Sequence, residues 1–262
     1  MQLGCTSDRL RIDGTSGLVR PSRAGMGYPL DLARLNLVEL ESGLESFEST
    51  EYAAEWVGDD VLAELLDLPR RISAALVADA QIPVEHVLDI GSGHGPYLAL
   101  FLRTFPEARG TWVDSSGAMR DLARAPLAEF GDRIRYVLAD AERLEEAQLA
   151  PADVVLTSRV FHHFSAESLQ RTYRALHDLV VPGGFFFNLD HIGPAEGWEA
   201  RYRRIRPQFT GRRRRPLKPH RHDFPLRPVR EHLAWLEDAG FETPDVPWRT
   251  LYTALIAARR PA

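Results

Sequence analysis

The sequence predicts an α/β protein, a doubly wound, mostly parallel seven-stranded sheet with an N-terminal helical cap. Three observations predict it. From His86 onward, short apolar runs alternate with stretches of helical periodicity, the order that builds a parallel sheet covered on both faces. Several of these runs are near-continuous in apolar residues, as in strands buried on both sides. The first run, Val87 to Ile90, leads straight into Gly91-Ser92-Gly93-His94-Gly95. Alternate glycines there let the backbone bend sharply and approach a ligand where any Cβ would collide.

Each element follows from its local pattern. Residues 1 to about 28 are rich in Gly, Ser, Arg and Thr without periodicity and read as an arm or loop. Helical periodicity covers Leu30 to Leu44, Glu51 to Leu68 and Arg70 to Ala80; in the second, Tyr52, Trp56, Leu62, Leu65 and Leu66 share one side. These helices are either a small bundle packed on the main domain or a lid over a pocket. Residues 1–80 therefore form an arm and cap, and residues 81–262 the sheet domain. The strands expected are His86–Ile90, Arg109–Val113, Ile134–Leu138, Val154–Thr157 and Gly184–Leu189. Helices fall between them at Tyr97–Phe105, Gly117–Phe130, a short one near Ala141–Gln148, and Ala166–Leu179. The alternation then stops for 36 residues, Gly193 to Pro228, a length uncommon for a loop unless it is functional or partly helical. A helix around Trp198–Ile205 is expected within this insertion. Helix Val229–Ala239, a turn containing Pro244 and Pro247, and a strand Leu251–Ala257 close the chain.

Composition narrows the function classes. At 262 residues, 44% hydrophobic and 26% charged, the chain can bury a large core and is not a disordered protein. Its single cysteine, Cys5, excludes an internal disulfide and a cysteine-clustered zinc site, and suits a reducing cytoplasm. With apolar runs of strand size only, neither a signal peptide nor a membrane span is expected. The net charge of -5 hides an asymmetry: ten Arg or Lys residues and no acidic residue lie between Arg201 and His222, including Arg212 to Arg215. That segment reads as a solvated loop, as a cap steering an acidic small molecule, or as a nucleic-acid contact. The acidic remainder of the chain counts against nucleic acid.

The chemistry-bearing positions cluster at predicted strand ends. Asp89 precedes the glycines, and Asp114, about 25 residues on, follows the second strand, where a carboxylate reaches the ribose of a nucleotide cofactor or caps a helix. Up to this point a dinucleotide oxidoreductase stays open.

Five segments in order then resemble the class I S-adenosylmethionine-dependent methyltransferases of small-molecule type, over about Glu85 to Ala258. They are Leu88-Asp89-Ile90-Gly91-Ser92-Gly93-His94-Gly95; Val113 to Met119 around Asp114; Leu138-Ala139-Asp140-Ala141; Ala152 to Phe164; and Leu179-Val180-Val181-Pro182-Gly183-Gly184. His94 departs from the family pattern, which favours a small residue there. The resemblance implies S-adenosylmethionine as cofactor, its methionine portion beside Asp89, Gly91, Ser92 and Gly93. Asp114, with Ser115 beside it, would hold the ribose hydroxyls. Asp140 and the Ala141 amide would meet the adenine, and Ser158 would line the pocket.

An oxygen or carbon acceptor needs a base, and His162 and His191 are the candidates; His163 and Asp190 accompany them on the same rim, with packing or surface-loop roles as the alternative. Tyr28, Tyr52 and Trp56 are candidate acceptor contacts from the cap, or simply aromatic packing within it. No compact metal motif is present, and no metal is expected. The function expected is methyl transfer to a small molecule of specialised metabolism. The alternatives are RNA methylation and a protein that uses the bound cofactor without turnover or for a cyclisation or rearrangement. A homodimer through the helical cap is left open.

Overall fold

A computed structural model describes Phe47 and residues 49–57, 60–208 and 224–262. The arm with Tyr28, the stretch Leu30–Leu44 and the Arg212–Arg215 run lie outside the described residues. Two helices, α1 (Thr50–Val57) and α2 (Asp60–Asp79), precede β1 (His86–Ile90). There follow α3 (Pro96–Thr104), β2 (Arg109–Asp114), α4 (Gly117–Leu127), β3 (Ile134–Leu138), β4 (Ala152–Ser158), α5 (Ala166–Leu179) and β5 (Val180–His191). The chain ends with α6 (Glu199–Ile205), α7 (Val229–Asp238), β6 (Glu242–Thr250) and β7 (Thr253–Arg259).

The sheet has seven strands in the order β3-β2-β1-β4-β5-β7-β6. Strands β1 to β5 pair in parallel, and β7 runs antiparallel between β5 and β6. Connections leave β1 toward β2 on one side while β4 closes on the other, so the carboxyl end of β1 opens at a switch point where such sheets bind ligands. The glycine turn sits there.

Period-two alternation sorts the strand residues between two cores. Val87 packs on the α2, α3 and α4 side with Leu66, Val77, Phe101 and Trp112. Leu88 and Ile90 pack on the α5 and α7 side with Tyr173, Leu176 and Leu236. Asp89 shares the face of Val87 and so is directed toward α2 and α3. On β5, Phe185, Phe187 and Leu189 join the first core and Phe186 the second, which puts Asn188 and Asp190 on the α5 side.

Three boundaries differ from the sequence expectation. Pro69 does not separate two helices: α1 ends at Val57, α2 begins at Asp60, and Pro69 lies inside α2. The lost backbone hydrogen bond is outweighed by the stripe Leu66, Ala74 and Val77, which are at most 4% exposed. The segment around Pro244 and Pro247 is not a turn but strand β6. It occupies the sheet edge, where a missing N–H costs no ladder bond, and its register shifts twice, between Glu242 and Asp245 and between Asp245 and Trp248. Finally, β5 runs from Val180 to His191 because β7 pairs it up to His191↔Thr253, so Asp190 and His191 belong to the strand and not to a loop after it. The expected helix in the insertion is α6, and the insertion is closed at its base by the Gly193 amide donating to the Arg227 carbonyl at 2.7 Å.

Candidate active site

The glycine turn is stitched to the end of β2. The Ser92 amide donates to the Val113 carbonyl (3.0 Å), the Gly93 amide to Asp114 Oδ2 (2.9 Å), and Trp112 Nε1 to the Gly93 carbonyl (2.8 Å). Gly91 adopts φ 66°, and a Cβ there would lie 2.0 Å from Val160 Cγ2, so only glycine fits between the turn and the segment after β4. Gly95 precedes Pro96, the first residue of α3, whose absent N–H is not needed there.

Asp89 is 1% exposed. Its Oδ2 accepts from Ser92 Oγ at 2.6 Å and from the Leu98 amide at 3.2 Å, while Oδ1 is buried without a hydrogen-bond partner. Burial pushes its carboxyl up to about 6, against the pull of Ser92 and the Arg70 guanidinium. Burial also raises Asp114, opposed by the backbone amides of Ser116, Gly93 and Ser115. The capping alternative for Asp114 passes to its neighbour: Ser116 Oγ accepts from the Met119 amide at 3.1 Å and caps α4. The same hydroxyl donates to the Phe47 carbonyl at 2.6 Å, which ties the chain before α1 to the rim.

A single cavity opens over this turn. Asp89, Gly91, Ser92, Gly93, Asp114, Ser115, Asp140, Ala141 and Ser158 all line it, so every sequence-derived cofactor position meets in one space. Asp140 is exposed and accepts from the Glu142 amide through Oδ1 at 2.9 Å. Ser158 Oγ is buried without a hydrogen-bond partner. Phe47, Trp56, Val57 and Leu66 supply an apolar wall from the N-terminal side, and Val160 and Phe164 another from the segment after β4.

The acceptor-side candidates divide. Trp56 lines the cavity, with the Arg159 guanidinium 5.4 Å from its ring centroid; Tyr52 is buried edge-on against Phe47 and does not line it. His162, His163 and Asp190 are buried behind the cavity wall, and His191 is half-buried beside them. The ring of His162 lies 4.1 Å from that of His163 and 5.1 Å from that of His191. Asp190 pairs with the ring of His162. Its Oδ1 lies 2.6 Å from His162 Nδ1, and its Oδ2 accepts the His162 amide at 3.0 Å. Burial alone would push Asp190 up, but His162, Arg159 and the His191 amide outweigh it and hold the carboxyl below its ordinary value. Arg159 has φ 66°, a left-handed conformation rare for a non-glycine residue, and its Nη1 lies 3.3 Å from His191 Nδ1. Among the described residues no group of three or more His, Cys, Asp or Glu is arranged to hold a metal ion.

The sequence reading missed Arg70, which lines the cavity from α2. A signal existed: Arg70 falls at helical spacing on the stripe of Leu66, Ser73, Ala74 and Val77, all at most 4% exposed. A cation on an otherwise buried stripe marks a site.

A family model described as "Methyltransferase domain" matches residues 87–184. The chain is similar to the 3-amino-4-hydroxybenzoate 4-O-methyltransferase of Streptomyces cremeus, 32% identical over 130 residues that make up 45% of this chain and 35% of that protein. It is also similar to the aclacinomycin 10-hydroxylase RdmB of Streptomyces purpurascens, 35% identical over 107 residues, 41% of this chain and 28% of that one. The matched stretches thus span about a third of the length of these relatives. In fold, the chain resembles an O-methyltransferase family protein from Burkholderia thailandensis, with a TM-score of 0.56 at 22% identity, covering 74% of this chain and 57% of that one.

Proposed function

We propose that the chain is a class I S-adenosylmethionine-dependent methyltransferase that transfers a methyl group to a small-molecule acceptor in a specialised biosynthetic route, a reading supported by the match of residues 87–184 to a methyltransferase-domain model. The observation that carries this reading is the convergence of Asp89, Asp114 and Asp140 with a Cβ-free turn in one cavity. When bound, S-adenosylmethionine supplies an electrophilic methyl on a sulfonium cation.

The residues present fit that cofactor by their own chemistry. The free Oδ1 of Asp89 and the unused Oγ of Ser158 are buried polar atoms that a polar ligand would satisfy. Asp114 would take the two hydroxyl donors of a ribose, and Asp140 and Ala141 the amine and ring nitrogens of an adenine. Gly91, Ser92 and Gly93 let the backbone close on the amino-acid portion, with Ser115 at the ribose edge. The apolar walls exclude water from the reacting centre, and alignment of acceptor and methyl provides much of the rate.

Neither His162 nor His191 lines the cavity, and of the two His162 has the tautomer that a base facing it needs. In its neutral ring, Nδ1–H donates to Asp190, which leaves the lone pair on Nε2. His191 has the opposite arrangement. Arginine only donates, so Nδ1 of His191 accepts from Arg159 and its ring proton sits on Nε2. Asp190 is then the positioning residue for His162, with His163 packed against the same ring. Trp56 contacts the acceptor, and Tyr52 packs edge-on against Phe47, whose ring packs in turn against Trp56. Tyr28 remains a candidate from the sequence alone.

Release of S-adenosylhomocysteine on incubation with hydroxylated aromatic acids tests the reading, since one similar protein is named for a hydroxybenzoate. A second reading rests on the similarity to a protein named as a hydroxylase: the bound cofactor serves other chemistry. Acceptor conversion without S-adenosylhomocysteine release would favour it.

A further inference from the structure

Among the described residues, two guanidiniums line the cavity, Arg70 and Arg159, and they stand at different ends of it. The Arg70 charge, on α2, acts on Asp89 and His94 around the glycine turn. Arg159 follows the last residue of β4, and its charge helps to hold the Asp190 carboxyl down. Sheet order separates the two ends. In β3-β2-β1-β4-β5 the carboxylates Asp140, Asp114 and Asp89 lie at or just past the carboxyl ends of the first three strands. Arg159 belongs to the fourth, beside β5 with Asp190 and His191. The acids that suit a nucleoside are therefore on one side of β1, and Arg159 is on the other.

The place of Arg159 is built by its backbone. Its amide donates to the Leu189 carbonyl of β5 at 3.1 Å, and Val160 beside it leaves no room for a Cβ at Gly91. Between these anchors Arg159 keeps φ at 66°, a costly conformation that persists where the surroundings enforce it. The guanidinium lies over the Trp56 ring, 5.4 Å from its centroid, with Nη1 3.3 Å from His191 Nδ1. The oxygens of Asp190 are spent on His162 and the His191 amide. This end of the cavity thus joins a fixed positive charge to the aromatic walls Trp56 and Phe164. A carboxylate on a flat ring matches it: the guanidinium fork takes two oxygens in parallel, and the walls take the ring. A phosphate, with its second charge, calls for more donors than one guanidinium among apolar groups.

We propose that Arg159 binds a carboxylate of the acceptor, so that the chain methylates aromatic acids in preference to their neutral counterparts. The inference rests on the methyl-transfer reading above and names the acceptor class for the same site. It makes Arg159 a residue that sets specificity, separate from the groups that hold the nucleoside.

The test compares hydroxylated benzoic, cinnamic and naphthoic acids with their primary amides, which keep ring and hydroxyl and lose the charge. Release of S-adenosylhomocysteine is followed for the full chain and for Arg159→Asn, an uncharged residue that tolerates the left-handed conformation. For the acid that turns over best, the full chain is expected to prefer acid to amide by about 30-fold in kcat/KM, mostly through KM, as a charge-assisted bond implies. Arg159→Asn is expected to use the two within about threefold of each other. Arg159→Lys, which keeps the charge without the fork, should retain part of the preference, a rescue that a merely structural role would not give. Equal use of acid and amide by the unaltered chain overturns the proposal, as does a preference that persists in Arg159→Asn. Turnover of neither, by a chain that binds S-adenosylmethionine, overturns it too. If Arg159→Asn does not fold, Arg159→Gln is read in the same way. Failure of the full chain to bind S-adenosylmethionine in a calorimeter overturns the methyl-transfer reading itself, an outcome distinct from the loss of discrimination.

Discussion

His162 Nδ1 and Asp190 Oδ1 lie 2.6 Å apart, with both side chains only 1% exposed, although 28 residues separate them in the chain. The contact joins the segment after β4 to the carboxyl end of β5 and, in the neutral ring, favours the proton of His162 on Nδ1. Asp190→Asn can present an N–H toward Nδ1 and so favours the other tautomer, with the base atom occupied. Turnover is expected to fall by about 10²- to 10⁴-fold, while the dissociation constant for S-adenosylhomocysteine changes less than threefold. Partial recovery in Asp190→Glu would separate positioning from packing. An Asp190→Asn enzyme with undiminished turnover would remove His162 as the base.

Asp89 is expected to link cofactor binding to pH. Its carboxyl is raised from 3.8 to about 6 by burial, so near pH 6 it is about half protonated in the free protein. A cationic ligand beside Oδ1 favours the ionised form, and binding is expected to release about half a proton at pH 6 and almost none at pH 8. Calorimetry in buffers of different ionisation enthalpy measures this directly. Because the folded pKa is raised, the contribution of this group to the stability of the free protein is full below about 4 and is lost as pH rises through about 6. No proton release at pH 6 would mean that the ligand does not meet this carboxylate.

A buried network on the opposite face of the sheet gives the contrary pH dependence. Asn188 Nδ2 donates to Tyr173 Oη at 3.4 Å, and the Tyr173 hydroxyl donates to His232 Nδ1 at 2.6 Å, which requires an unprotonated ring. Burial accordingly pushes His232 from 6.5 down to about 4. Its contribution to stability is present above about 6.5 and lost as pH falls through about 4. Replacing His232 with Phe is expected to cost about 1–3 kcal/mol at neutral pH, because the Tyr173 hydroxyl loses its acceptor, and to flatten the acid limb of a Tm against pH plot. An acid limb as steep as in the unaltered chain would show that another group dominates it.

Two of the turn's three glycines, Gly91 and Gly93, are expected to respond differently to alanine. At Gly91 a Cβ would strike Val160 at 2.0 Å, with φ at 66°, so Gly91→Ala must displace the segment after β4. About 2–4 kcal/mol of stability is the expected loss. At Gly93, with φ 56° and nothing within 4 Å, Gly93→Ala pays conformational strain of about 1–2 kcal/mol and places its methyl in open space at the cavity. Thermal melts should rank Gly91→Ala as the less stable, while calorimetry should show weakened cofactor binding by Gly93→Ala. The reverse order of melting temperatures would contradict this packing.

Much of the sheet and of the cofactor cavity was legible in the sequence because their determinants are local. Apolar runs mark strands that are covered on both faces, and the glycine turn and the acids Asp89, Asp114 and Asp140 each lie at or just past the carboxyl end of a strand. Parallel strands bring those ends to one rim, so positions read one at a time converge. The acceptor side was less legible. Asp190 and His191 are adjacent in sequence, but alternation along β5 sends Asp190 toward α5 and His162. Arg70 hid in a helix read only for its apolar stripe, and the prolines of β6 suggested a turn because their tolerance depends on which strand ends up at the edge.

The sequence by itself determined the order of strands and helices, the Cβ-free bend after β1 and the line of carboxylates above it, since backbone sterics and side-chain periodicity act over a few residues. Only the tertiary structure decided that Asp190 meets His162, that Arg70 lines the same cavity as Asp89 and that a proline-bearing segment closes the sheet. Each of these joins residues distant in the chain, and which of them meet is set by how helices pack and strands order, which no local pattern encodes.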